Sequence, residues 1–203
     1  MVADEKFSVV VLAGGQGRRL GGINKASLVV EGRRLIDRVL AAVRPLSDDI
    51  LIVGHLVTDL DDPAIRLVPD ELPYRSSLTG VYTGLLHARR QLAVVVACDM
   101  PYLSTAALAW VAKSAQGCDV AVPQIGGHYE ALHAAYRRSC LPVMKTALEQ
   151  GRFKLIDIYP ALQLRVIEER ELRSFDPDLR SLINVNNPAD LEKVQAPSTA
   201  AGS

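Results

Sequence analysis

Phe7-Ser8-Val9-Val10-Val11-Leu12-Ala13-Gly14-Gly15-Gln16-Gly17-Arg18-Arg19-Leu20-Gly21-Gly22-Ile23-Asn24-Lys25 is the stretch that decides the fold. Its first seven residues form a short, almost wholly apolar and β-branched run, as expected of a strand buried on both faces of a sheet. Five glycines follow within the nine residues from Gly14 to Gly22. A buried strand running straight into a glycine turn is how an open parallel sheet presents a ligand loop at a strand's carboxyl end. Glycines let the backbone approach a guest closely and aim several N–H groups at it, while Arg18, Arg19 and Lys25 supply countercharge, so the loop suits a polyphosphate. The alternative, a flexible surface turn, gives no reason for three cations among the glycines.

Spacing excludes two better-known glycine loops. A Walker loop needs Gly-Lys-Ser/Thr, but Ile23 and Asn24 separate Gly22 from Lys25, and Ala26 follows. A dinucleotide fingerprint starting at Gly15 and Gly17 needs Gly or Ala at position 20, where the chain has Leu20. A nicotinamide enzyme is thereby disfavoured.

Outward from this loop, short β-branched runs alternate with longer amphipathic stretches. Residues 34–44 carry Leu35, Ile36, Val39, Leu40 and Val43 at helical spacing, and residues 50–54 and 65–68 read as strands. A helix is expected over 79–90, an apolar strand over 93–97, a helix over 105–114 capped by Ser104, and a strand over 120–123. Beyond Ile125 the order loosens, with a turn at Gly126-Gly127, a strand over 132–136, and helices over 141–150 and after Pro188. The class is α/β, a Rossmann-like, mostly parallel sheet with helices on both faces. One domain is expected over 1–195, with 196–203 as a disordered tail, and no internal repeat is found.

The chain has 203 residues, 49% of them hydrophobic, enough to bury about 70% of its extended surface without staples. Lys+Arg 23 balance Asp+Glu 23, so no net field draws the protein to nucleic acid or to a membrane surface. Cys98, Cys118 and Cys140 lie far apart with no C-x-x-C pair and are read as reduced, mostly buried thiols. The start of the chain lacks a signal sequence's apolar region and no segment approaches a 20-residue apolar span, so a cytoplasmic protein is expected.

A second site element is Val94-Val95-Val96-Ala97-Cys98-Asp99-Met100-Pro101. An acid at the tip of a central strand faces the same crevice as the glycine loop, where Asp99 can hold Mg²⁺ against phosphate oxygens. The competing reading is that Asp99 caps a turn or the following helix.

Three motifs together, L-A-G-G-x-G-R-R-L-G-G-x-x-K, C-D-M-P-Y-L and I-N-V-N-N-P-A-D-L, resemble those of the molybdenum cofactor guanylyltransferases, in the same order and spacing from Val9 to Val194. The resemblance implies a nucleotide-diphospho-sugar transferase type of fold and an enzyme that joins GMP, from GTP, to molybdopterin and releases pyrophosphate with Mg²⁺. By the same resemblance Leu12, Ala13 and Gly14 belong to the guanine and ribose loop, Lys25 to the phosphates, Asp70 to the nucleotide and Asp99 to the metal; Gly15 is a further nucleotide-binding candidate, and Arg19 is expected to join Lys25 in stabilising charge on the β,γ-phosphates. Asn184 and Asn186 match asparagines on the pterin side, although asparagines before Pro188 also suit helix capping. Lys154 is a candidate for the acceptor's phosphate, a solvated basic turn being the alternative. Molybdoenzymes or cofactor-insertion proteins are the implied partners.

One departure stands out. Ser76-Ser77-Leu78-Thr79-Gly80 occupies the place of the family's usual Gly-Pro-Leu-x-Gly, and cytidylyltransferase relatives carry serines there. Gly14-Gly15 and Met100 side with guanine. The alternatives are cytidylyl transfer, a sugar-1-phosphate nucleotidylyltransferase, and a GTP-binding module without turnover. His128 and His133 flank Tyr129-Glu130, but their spacing is expected to put them on opposite faces rather than in a metal site.

Overall fold

A computed structural model describes residues 5–13, 28–54, 60, 62–185 and 190. The strand from the opening stretch is β1 (Ser8–Leu12), and all five of its residues are buried. A short hairpin of β2 (Val29–Val30) and β3 (Arg33–Arg34) leads into α1 (Leu35–Val43), then β4 (Ile50–Val53), β5 (Ile65–Val68) and α2 (Ser77–His87). The chain continues through β6 (Leu92–Ala97), α3 (Thr105–Ser114), β7 (Val120–Ile125), β8 (His128–Tyr129) and β9 (His133–Arg137). It then runs through α4 (Leu141–Glu149), β10 (Leu164–Glu168) and α5 (Glu169–Arg173).

The main sheet has the order β10-β7-β9-β6-β1-β4-β5, with β8 paired to β7. Strands β6, β1, β4 and β5 are mutually parallel, as is the β10–β7 pair; β9 runs antiparallel to both its neighbours. The sheet is therefore mixed and mostly parallel, with apolar layers on both sides. Val9, Val11, Val94 and Val96 face a core shared with α1 and α3, while Val10, Leu12, Ala93 and Val95 face one shared with α2 and α4. Strands buried on both faces cannot alternate apolar with polar, which is why β1 and β6 read as continuous apolar runs.

The five apolar residues expected to form the buried stripe of α1 are the five that it buries. Helix α2 begins two residues before the expected start, because the Ser76 hydroxyl accepts the Thr79 N–H at 3.1 Å and opens the helix there. It also stops early, at His87, because Ala88 turns extended (ψ 136°). Strand β9 begins at His133, one residue after the expected start. The helix expected after Pro188 and the tail over 196–203 lie outside the described residues, apart from Asp190, which is helical. Among the described residues no helix is long and apolar enough to cross a membrane. None of the three cysteines forms a disulfide among the described residues; Cys98 and Cys140 are buried and Cys118 half-buried.

Candidate active site

The strand order creates a switch point. From β1 the chain steps outward to β4 and β5, then returns to lay β6 on the other side of β1. Connections leave in opposite directions above the carboxyl ends of β1 and β6, and a crevice opens there. Leu12 and Ala13 sit at one of those ends, and Cys98 and Asp99 follow the other. The two tips are joined directly, since the Cys98 N–H donates to the Leu12 carbonyl at 3.0 Å. Asp70 follows β5, two strands from β1 and so roughly 10 Å across the same edge.

The carboxyl tip of β6 also gathers the C-terminal motif. The Val185 N–H donates to the Asp99 carbonyl at 2.8 Å, and Val185 is fully buried with Val30 and Leu35 in a small core that Leu28 and Tyr102 complete. Asn184 is thereby held beside Asp99, its side chain exposed and its amide reaching only the Leu182 carbonyl at 3.4 Å. The same small core anchors the β2–β3 hairpin, so the chain leaving the glycine segment is tied to the strand that carries Asp99. Glu31 and Gly32 close that hairpin with φ of 48° and 76°, the left-handed pair that a tight two-residue turn requires. Tyr102 is held from several directions: its hydroxyl donates to Glu31 at 3.2 Å, and the Arg180 and Arg38 guanidiniums lie 4.4 and 5.5 Å from its ring centroid.

A cleft of about 440 Å³ opens beside these elements. Ser76 and Ser77 from the start of α2, Met100 from the β6 tip, Asn184, Glu130 and Lys154 line it. The amino end of α2 brings its partial positive charge to this cleft. Two residues that the sequence put on the acceptor side, Lys154 and Asn184, thus share one cleft although they lie far apart along the chain. Glu130 was not among the expected site residues; no motif surrounds it, and only the turn between β8 and β9 brings it in. Burial raises its carboxyl pKa, with the nearby His128 pulling the other way. Gly14, Gly15, Arg19, Lys25 and Asn186 lie outside the described residues.

The two histidines are parted. His128 is exposed on β8, whereas His133 is fully buried on β9. Among the described residues no group of three or more His, Cys, Asp or Glu is arranged to hold a metal ion. Asp99, partly exposed at the β6 tip, offers a hard carboxylate oxygen. That donor fits Mg²⁺, which keeps several waters and takes its remaining ligands from substrate phosphates.

Comparison with known proteins agrees with this architecture. The model of the MobA-like NTP transferase domain matches residues 9–165. A molybdenum cofactor guanylyltransferase from Desulfosudis oleivorans is 39% identical over 188 residues, 92% of this chain and 93% of the relative. Among solved structures, the molybdopterin-guanine dinucleotide biosynthesis protein A from Archaeoglobus fulgidus superposes with a TM-score of 0.81 at 28% identity, covering 92% of this chain and 96% of that one. A 2-C-methyl-D-erythritol 4-phosphate cytidylyltransferase from Thermus thermophilus shares the fold alone, with a TM-score of 0.71 at 20% identity over 94% of this chain and 98% of that one. The class so defined is a transferase of the nucleotide-diphospho-sugar transferase fold. Within it, the chain belongs to the MobA-like NTP transferase family, among the molybdenum cofactor guanylyltransferases.

Proposed function

We propose that the protein transfers GMP from GTP to molybdopterin, forming molybdopterin guanine dinucleotide and releasing pyrophosphate, with Mg²⁺ as cofactor. The observation that carries this reading is the meeting of the β1 and β6 tips, where Cys98, the residue before Asp99, bonds Leu12, with Val185 tying Asn184 to the same strand tip and Lys154 sharing the cleft with Asn184. A terminal phosphate oxygen of molybdopterin attacks the α-phosphorus of GTP; the bond from that phosphorus to the bridging oxygen breaks, and the electron pair leaves with pyrophosphate. No redox partner and no protein nucleophile are needed, so positioning and charge neutralisation do the catalysis.

In this scheme Leu12, Ala13, Gly14 and Gly15 hold the base and ribose through backbone groups, and Asp70 contributes to nucleotide binding. Arg19 and Lys25 neutralise charge that accumulates on the leaving phosphates. Asp99 would hold Mg²⁺, which when bound supplies electrostatic stabilisation to the phosphate oxygens. Lys154, Asn184 and Asn186 hold the acceptor.

Pyrophosphate release from GTP and molybdopterin tests the scheme. Asp99→Asn should abolish Mg²⁺-dependent release, and unchanged Mg²⁺-dependent release removes Asp99 from the metal's ligands. Lys25→Ala should lower kcat/KM by about 30- to 1,000-fold with unchanged melting, the worth of one charge-assisted contact in the transition state. Cytidylyl transfer is the second reading, favoured by Ser76-Ser77 where the family usually has Gly-Pro. Faster turnover with CTP than with GTP or ATP would establish it.

A further inference from the structure

Glu130 is a carboxylate with no side-chain partner among the described residues, in a site that has room for one. Its main chain is fixed at both ends: its N–H donates to the Pro123 carbonyl and its carbonyl accepts from the His133 N–H, each at 2.9 Å. Its side chain, by contrast, makes no hydrogen bond or ion pair with any described residue, and Lys154, which lines the same cleft, is likewise in no ion pair with a described residue. Apolar Ala131, Leu132 and Leu155 share the lining. A half-buried carboxylate in such surroundings is costly unless donors satisfy its oxygens.

Two aromatic rings stand on the cleft wall. Tyr129 and Phe153 both line the cleft and are each 37% exposed. Each packs on another ring: Tyr129 stands edge-on to Tyr159 with centroids 5.2 Å apart, and the Phe153 and Tyr74 centroids are 5.2 Å apart. Partly exposed rings beside an unsatisfied carboxylate suit a flat heterocycle whose rim carries N–H donors. Lys154 adjoins Phe153 in sequence and can meet a phosphate attached to that heterocycle.

We propose that Glu130 reads a 2-amino-4-oxopyrimidine edge, accepting hydrogen bonds from the ring N–H and the exocyclic amine, with Tyr129 and Phe153 flanking the ring. This rests on the function proposed above, and it assigns the carboxylate to the pterin of the acceptor. Guanine carries the same edge. The pterin is favoured because Glu130 shares its cleft with the acceptor-side residues Lys154 and Asn184, whereas Leu12 and Ala13, assigned to the base, are not among the described residues that line it. Burial raises the Glu130 pKa, so the ionised side chain strains against its surroundings until two donors arrive.

Glu130→Gln keeps the shape and exchanges one acceptor oxygen for an NH2 group that cannot accept. Steady-state turnover by the full chain should show the KM for molybdopterin rising about 10- to 100-fold, with kcat and the KM for GTP changing less than about threefold. Binding of 6-hydroxymethylpterin and of its 2-oxo counterpart, 6-hydroxymethyllumazine, followed by the ligands' own fluorescence, asks the same question without turnover. The wild-type protein should prefer the pterin at least about tenfold, and the variant should lose that preference. A preference that is equal in both proteins overturns the proposal. If the variant instead raises the KM for GTP and loses discrimination between GTP and ITP, which lacks the amine, the pterin assignment is wrong and the carboxylate belongs to guanine. Wild-type protein that turns over no molybdopterin would refute the proposed function, yet the heterocycle titrations would still decide the role of Glu130. Thermal melting at neutral pH guards against a folding defect: the variant should melt no lower than wild type, since it removes an unpaired charge.

Discussion

Asp49 in the parallel half of the sheet, β6-β1-β4-β5, and His133 in the returning half, β9-β7-β10, are buried polar residues with opposite surroundings. In the parallel half Asp49, 1% exposed just before β4, accepts from the Ser8 hydroxyl at 2.6 Å, the Arg66 guanidinium at 2.6 Å and the Arg89 N–H at 2.8 Å. Burial alone would raise its pKa; the bonds from Ser8, Arg89 and Arg66 more than reverse this, and the net shift is downward. In the returning half His133 is fully buried and neither ring nitrogen has a partner among the described residues. Burial pushes its pKa down to about 4, against weaker upward pulls from its own backbone and from Asp176. Asp176 does not rescue it, being occupied by Ser181 and the Arg180 N–H. The two residues show that a buried polar group strengthens a fold only where the chain supplies its partners.

The sharpest way to break this contrast is Asp49→Ala. It strands the Ser8 hydroxyl, the Arg89 N–H and one side of Arg66 in a buried place, and a loss of about 3 to 5 kcal/mol of unfolding free energy is expected in urea titrations. In the wild type the Asp49 contribution is present above the ordinary carboxylate pKa and fades as the pH falls below it, because its folded pKa is depressed.

His133 should act at a higher pH. Its folded pKa is about 4 and its unfolded value about 6.5, so below pH 6.5 the unfolded chain takes a proton that the folded one refuses. Stability therefore falls as the pH drops from about 6.5 towards 4, by up to about 3 kcal/mol. His133→Leu should flatten this part of the curve without lowering stability at neutral pH. An unaltered slope over that window would show that the ring is partnered in solution.

Smaller effects compare glycines in the two halves. At Gly84 on α2 a Cβ would lie 2.4 and 2.9 Å from the methyl carbons of Val10, in a strand of the parallel half whose residues are all buried. Gly84→Ala should cost about 1 to 3 kcal/mol by overpacking, seen as a lowered denaturant midpoint with an unchanged m-value. Gly151, just after α4 in the returning half, has φ of 72° and no described atom within 4 Å of a Cβ. Gly151→Ala should cost only about 1 kcal/mol, from backbone conformation rather than from a clash. A larger loss at Gly151 than at Gly84 would reverse this ranking of packing against local strain.

How much of the molecule could be read from the sequence follows the same division. In the parallel half, strand, tip and ligand loop are contiguous in the chain, so Leu12, Ala13, Asp70 and Asp99 could be placed at strand ends by reading along it. The α1 stripe and the bounds of α3 and β5 followed from periodicity, because helices and strands bury one face or two at a fixed repeat. Neither the antiparallel insertion of β9 between β6 and β7 nor the burial of His133 could be read, since both depend on partners far along the chain. Nor could Glu130 be recognised: the lining of its cleft comes from separate segments that no spacing rule connects, and a lone acid before an apolar run looks the same in a solvated turn. The sequence by itself determined the class of fold, through local pattern and residue type. Tertiary structure alone decided that Asn184 stands beside Asp99, that Lys154 and Glu130 share a cleft, and that one buried histidine goes without a partner among the described residues. Such proximities are products of sheet order and packing, which a linear pattern does not encode.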